Sequence, residues 1–454
     1  MTEQTAPTAY SGTESAEQSR TKSLVFGIFT GLASRVLILA APLLTIPVTL
    51  HYLGPELFGF WMTVVSLTAM AMFADLGLGN GLLTRLAPSV AARDFIAAKT
   101  LVSTAYASLG AMALVLMAFV ILLVPSLDWA AFLKLDERLD PNAVRNVAIL
   151  CLTAFAVTVP LSLVQRVQYA FGDAWKSNVW QIVGAVLTVA AVYAASYSNV
   201  GYTLVVAAAV FSNPAIMLLN NFVYYARHPE IRPAFRSVSA SAAGALLRVG
   251  LGFLFLSVLT SVSLNADNLI VARIADLSAV SDFSIATKLF SLLAMAITLV
   301  ALPLWPANGE ALARGDTAWV RRTTRKMAYF SVALVGLGGA LLLLLRNVIA
   351  GLWIGDGHTI PWELAFNLVM WSLLLGFSSP FFSVQNSIGL LRYQFVGWVS
   401  FVVISLPLKI YFGVLCGVQG IPLAGAIAYL VTLCPAAILG YRATLRSVCE
   451  TAKN

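Results

Sequence analysis

The run LVFGIFTGLASRVLILAAPLLTIPVTL, residues 24–50, holds one charged side chain, Arg35, among 27 residues. As a helix rising 1.5 Å per residue it would extend about 40 Å, enough to cross a hydrocarbon core of about 30 Å even when tilted. The run therefore predicts a membrane span, and its surroundings repeat the pattern. Upstream, residues 1–23 are rich in Thr, Ser, Glu, Gln and Ala and end in the basic residues Arg20 and Lys22. They are expected to form a disordered tail. They lack the short apolar core and small-residue cleavage site of a secretory signal, so the first helix is expected to serve as its own insertion signal.

Downstream, apolar runs broken by charge clusters and Gly, Pro or Asn place further helices near 57–79, 98–125, 143–169, 176–196 and 202–226. A second six follow near 244–266, 279–305, 323–348, 362–387, 393–414 and 419–442. Of the 454 residues, 59% are hydrophobic and 11% charged, against about a quarter charged in soluble domains. The expected fold is an all-α integral membrane protein of about twelve transmembrane helices. Its organisation would be a cytoplasmic tail (1–23), an N-terminal six-helix lobe (24–226), a cytoplasmic linker (227–243), a C-terminal six-helix lobe (244–442) and a second cytoplasmic tail (443–454).

With the N-terminus placed inside, 20 of the 28 basic residues fall in cytoplasmic segments. Six fall outside (Lys134, Arg138, Arg145, Arg273, Arg346 and Lys409), and Arg35 and Lys288 lie within helices. This asymmetry follows the positive-inside rule and predicts cytoplasmic termini. The net charge of +8 is spread over those segments, as topology requires, so nucleic acid is not an expected partner.

Little in the chain supports catalysis. Cys151, Cys416, Cys434 and Cys449 have no metal-ligand or redox spacing, and His51, His228 and His358 are scattered, so neither a metal nor a cofactor is expected. No Walker phosphate loop is present, which argues against ATP hydrolysis. A polysaccharide polymerase or glycosyltransferase would display a sizeable outer loop. The longest here, residues 126–142, contains Asp128, Asp136, Glu137 and Asp140 among ordinary loop residues.

The halves echo one another. Leu53-Gly-Pro-Glu-Leu-Phe-Gly-Phe-Trp61 and Ser66-Leu-Thr-Ala-Met70 recur loosely as Leu277-Ser-Ala-Val-Ser-Asp-Phe-Ser-Ile285 and Ser291-Leu-Leu-Ala-Met295. Ala92-Arg-Asp94 is echoed by Ala313-Arg-Gly-Asp316. Six helices per half, starting in the same orientation, predict a parallel repeat about an axis along the membrane normal. Chance coincidence in apolar sequence is the competing reading.

The Leu53–Trp61 run, with Ala74-Asp-Leu-Gly-Leu-Gly-Asn-Gly-Leu82 at the end of the second helix, resembles the Wzx-type polysaccharide flippases of the multidrug/oligosaccharidyl-lipid/polysaccharide (MOP) exporter superfamily. The resemblance implies a V-shaped monomer around a central cavity lined by helices 1, 2, 7 and 8. It further implies movement of undecaprenyl-diphosphate-linked oligosaccharide from the cytoplasmic to the periplasmic leaflet of the bacterial inner membrane, by alternating access, for exopolysaccharide, O-antigen or other surface polysaccharide. Membrane lipids and other polysaccharide assembly proteins are the further partners it implies. An ion-coupled drug antiporter on the same scaffold is the alternative.

Ionisable groups inside spans are costly and normally face a cavity or a partner. Arg35 and Lys288, both near mid-depth, are expected to line the lumen and attract a diphosphate or acidic sugars; the competing reading pairs each with a carboxylate or carbonyl inside the bundle. Asp75, Asn80, Asp267, Asn265 and Glu310 are candidates for gating or ion coupling. For Asp75 the alternative is capping or pairing with Arg85. For Asp267 and Asn265 it is an interfacial position, and for Glu310 a solvated one. Pro42, Pro47, Pro160, Pro214, Pro303 and Pro306 are expected to kink helices, as hinges or as curvature around a cavity.

Overall fold

A computed structural model describes residues 11–71, 75, 77–127, 129, 139–198, 201–301, 304–355 and 358–451. Among these, every regular element is helical. Ten helices are long and apolar enough to cross a membrane.

The first is α1, Ser11–Met70. Its apolar part, Phe29–Met70, has 42 residues, about 63 Å if straight, which is twice a hydrocarbon core. The chain resolves this excess at Gly54, whose φ of 76° and ψ of 164° interrupt the helix. Side chains on the two arms, Ile38 and Thr49 on one and Phe58 and Thr68 on the other, then line one cavity, so the arms fold back on each other as two spans. At its other end α1 starts at Ser11, inside the segment expected to be a disordered tail. Glu14, Ala16, Glu17 and Gln18 are good helix formers and extend a helix already nucleated in the apolar run.

The path continues through α2 (Leu78–Ala91), α3 (Phe95–Leu122), α4 (Pro141–Leu161), α5 (Leu163–Ala170), α6 (Ala174–Tyr197) and α7 (Tyr202–Arg227). The second half comprises α8 (Ala240–Asn265), α9 (Asp267–Ile274), α10 (Leu277–Ala301), α11 (Leu304–Ala313), α12 (Thr317–Ile354), α13 (Trp362–Ser387), α14 (Arg392–Cys416) and α15 (Gly420–Thr451). Counting the two arms of α1, and α8 as the remaining long helix, the described residues form twelve legs. The helices sort by packing into two bundles. In one, α1 packs on α4 and α6, and α7 on α4 and α6; in the other, α15 packs on α13 and α14, and α13 on α10 and α12.

The internal echo appears in the backbone. Arg93 (φ 56°) and Gly315 (φ 76°) occupy matching left-handed corners. Each is followed by an aspartate whose carboxylate accepts a helix-capping bond, Asp94 from the Ala97 amide and Asp316 from the Trp319 amide, both at 2.9 Å. An Asp at this position satisfies one of the donors that a helix start leaves open.

Two close backbone approaches are among the contacts that join the bundles. Near the Gly54 bend, Gly59 packs so closely on the Leu277 backbone that a Cβ there would lie 1.8 Å from the Leu277 carbonyl oxygen. At the opposite end of that leg, Gly77 and Gly81 sit against the backbone of Gly250 and Leu246 in α8. Small residues allow such approach between helices, where packing and hydrogen bonds drive association in lipid. Pro47 adds a third link: lacking an N–H, it leaves the Leu43 carbonyl without its intrahelical donor, and the Trp353 indole of α12 donates to that oxygen.

Candidate functional site

Between the arms of α1 and the helices α4, α6 and α7 lies a cavity of 580 Å³. From Ile38 to Thr49 it follows the first arm for about 16 Å. Helices 1, 2 and 8 contribute to it, as the resemblance implied. The chain departs from that expectation in two respects: helix 7 supplies no lining residue, and α4, α5, α6 and α7 do, so that the cavity lies inside the first bundle with a single side chain from the second.

That side chain is Lys288, which the sequence had singled out. It stands eleven residues into α10 and is open to the cavity although surrounded by helices. Among the described residues it makes no ion pair. The rest of the wall is apolar or neutral polar. Thr45, Thr49, Thr158 and Thr188 donate their hydroxyls to carbonyls of their own helices, which satisfies them away from water and leaves oxygen lone pairs toward the cavity. Gln165, Gln181 and Asn213 add amides. Among the described residues no carboxylate lines the cavity, and the one charged side chain that does is positive.

Arg35 is exposed and does not line this cavity. It lies one turn before Ile38, on the face of α1 that continues through Pro42, Ile46 and Thr49, which places it beyond the end of the lined row. Neither it nor Lys288 has a bundle carboxylate as partner among the described residues.

The gating candidates separate. Asp75 accepts a hydrogen bond from the Gly77 amide at 2.9 Å, closing the turn before α2. Arg166 of α5 and Asp75 both border Gly79; Arg85, the partner that one sequence reading offered, is exposed. Proximity in sequence suggested Arg85, but tertiary packing brings α5 to that turn. Asn80 is half-buried and its backbone carbonyl accepts from the Thr84 hydroxyl. Asn265 donates to the Ser261 carbonyl at 2.9 Å. Glu310 is exposed and pairs with Arg314 on the same helix. Asp128, Asp136 and Glu137 lie outside the described residues.

Asp267 is placed differently. Its Oδ1 lies 2.6 Å from the Nζ of Lys409, which also donates to the Ser263 carbonyl at 3.0 Å. Lys409 was expected in an outer segment; it stands within α14 and is 2% exposed. Counting basic residues by side puts Lys409 with the outer segments although the expected helix, 393–414, already contains it; in the structure its charge is neutralised inside the bundle. A signal was available in the apolar residues on both sides of it, Phe401 to Leu408 and Ile410 to Cys416. Beside the pair, Asn268 donates to Ser66 Oγ of the first bundle at 2.9 Å and accepts from Ser284 of α10 at 3.2 Å.

Two helical bundles, the first holding a cavity with one cation among apolar and neutral polar groups, define a polytopic membrane protein. The chain matches the family described as "Polysaccharide biosynthesis protein" over residues 24–308 and belongs to it. Over 323 residues, 70% of this chain and 72% of the other, it is 22% identical to a Salmonella typhi protein named "Putative O-antigen transporter". The fold is that of the MOP superfamily. A multidrug resistance MATE family transporter in its inward-facing conformation superposes with a TM-score of 0.74 at 16% identity, covering 91% of this chain and 96% of that one. A MOP transporter from Pyrococcus furiosus gives 0.67 at 15% identity, covering 96% and 97%. These findings bear out the resemblance to Wzx-type flippases.

Proposed function

We infer that the chain flips an undecaprenyl-diphosphate-linked oligosaccharide from the cytoplasmic to the periplasmic leaflet of the bacterial inner membrane, with both termini cytoplasmic. The observation that carries this reading is Lys288, the one charged side chain in a cavity otherwise lined by neutral hydroxyl, amide and apolar groups. A fixed cation in a low-dielectric cleft attracts an anionic group, and threonines and amides suit the hydroxyls of sugars. Arg35, beyond the end of the lined row, would capture the diphosphate before it reaches Lys288. A drug antiporter for cations would instead want a carboxylate, and the lining has none.

Alternation would open and close the two bundle contacts in turn, Gly59 on Leu277 and Gly77 with Gly81 on α8. Asp267 with Lys409, and Asp75 beside Arg166, are the candidate ion-coupling groups. Glu310, in a solvated pair, and Asn265, whose amide is bonded within its own helix, suit that role less well, and Asn80 stays a gating candidate at the start of α2.

The test is disruption of the gene in its native cell. The expected result is accumulation of one lipid-linked oligosaccharide on the inner leaflet, relieved by the intact chain and not by Lys288→Gln. Drug sensitivity without such accumulation would favour the antiporter.

A further inference from the structure

Far from the cavity, where α12 begins and α15 ends, a second recess of 660 Å³ opens between α12, α13 and α15. Arg321 and Arg325 enter it from α12 and Arg442 and Arg446 from α15, each pair one turn apart. All four are exposed, and among the described residues none is in an ion pair. Positive residues at this end satisfy topology, but topology does not require four of them to converge on one concavity.

The shape below the arginines is equally informative. The recess runs from Arg321 to Val332 and from Arg446 to Ile438, about 16 Å and 12 Å along the two helices. Its wall there is aromatic and aliphatic, with Phe381 edge-on to Tyr441. Phe377 and Ile438 are shared with a second, almost wholly apolar trough of 440 Å³ bounded by Leu374, Leu430 and Leu439. Together they form one groove, charged at the rim and greasy along about 16 Å of α15, from Leu430 to Tyr441.

We propose that this groove is a binding site for an anionic phospholipid of the surrounding bilayer, its phosphate held by Arg321, Arg325, Arg442 and Arg446 and an acyl chain lying along α13 and α15. Guanidinium forks match phosphate oxygens, and basic pockets between spanning helices at the membrane surface select anionic head groups. The apolar trough distinguishes a lipid from free phosphate, which would gain nothing from it. The site is separate from the transport cavity and stands whether or not that cavity carries the substrate inferred above.

The full-length chain, purified, delipidated and titrated with lipids under native mass spectrometry, tests this. Phosphatidylglycerol and cardiolipin should bind at least about tenfold more tightly than phosphatidylcholine. Joint replacement Arg321→Gln, Arg325→Gln, Arg442→Gln and Arg446→Gln should abolish that preference, whereas Arg322→Gln with Lys326→Gln, which do not line the groove, should keep it. Leu439→Trp, which fills the trough and leaves every charge in place, should weaken binding several-fold and keeps the test open if the fourfold variant does not fold. Equal binding of phosphatidylcholine, an unchanged preference in the groove variants, displacement of the lipid by inorganic pyrophosphate alone, or selective retention of undecaprenyl diphosphate in place of phospholipid would each overturn the proposal.

Discussion

Lys409 Nζ and Asp267 Oδ1 meet at 2.6 Å inside the second bundle, the lysine side chain 3% and the aspartate 26% exposed. Removing one partner of such a pair leaves the other charge uncompensated, and the loss exceeds the net worth of the pair. Lys409→Met should therefore cost about 3 kcal/mol and lower the melting temperature in detergent. Adding Asp267→Leu to it should recover most of that loss in a double-mutant cycle; additive losses would show that the two side chains act independently.

Lys288→Gln keeps the length and polarity of the side chain and removes the only cavity charge. A charge-assisted hydrogen bond contributes about 2 kcal/mol, so flipping in vesicles or in complemented cells should fall roughly 30-fold. Lys288→Arg should retain most activity. Unimpaired flipping by Lys288→Gln would remove the cavity cation from the mechanism.

At Gly59 an added methyl group meets the Leu277 carbonyl oxygen at 1.8 Å, a distance no rotamer can relieve. Gly59→Ala should push α1 away from α10. In a background without native cysteines, cross-linking between Met62→Cys and Asn268→Cys should drop several-fold, since Asn268 Nδ2 now lies 3.4 Å from the Met62 carbonyl oxygen. Undiminished cross-linking would mean that the bundles do not touch there in the membrane.

Trp353→Phe removes the indole that serves the Leu43 carbonyl. An orphaned buried acceptor costs about 1–2 kcal/mol, read as a lower melting temperature. Pro47→Ala restores a backbone donor to that carbonyl and should rescue Trp353→Phe, although it would have little to offer the native chain. Equal effects of Pro47→Ala in both backgrounds would disconnect the two residues.

Arg93 holds the left-handed corner that Gly315 holds in the second half. A non-glycine residue there costs about 1–2 kcal/mol, part of which glycine returns as chain entropy. Arg93→Gly should therefore stabilise the chain by about 0.5 kcal/mol and Gly315→Ala should destabilise it by about 1 kcal/mol. Calorimetry or thermal unfolding monitored by fluorescence would separate the two signs.

What could be read from the chain alone was set by local physics. Hydrocarbon excludes unpaired backbone and charge, so the length of each apolar run was enough to establish helices and to pick out Lys288 as a residue that a span would carry only toward a polar space. The Ala-Arg-Asp echo was likewise local, because a corner and a cap are made by adjacent residues. Tertiary structure decided the rest. It brought Arg166 rather than Arg85 to the Gly79 turn that Asp75 closes, drew Lys409 inward to Asp267, left Arg35 beyond the cavity that Lys288 enters, and gathered four arginines from two distant helices into one groove. Each of these depends on which helix faces which, a relationship governed by side-chain packing between segments far apart in the chain that periodicity along one helix does not encode.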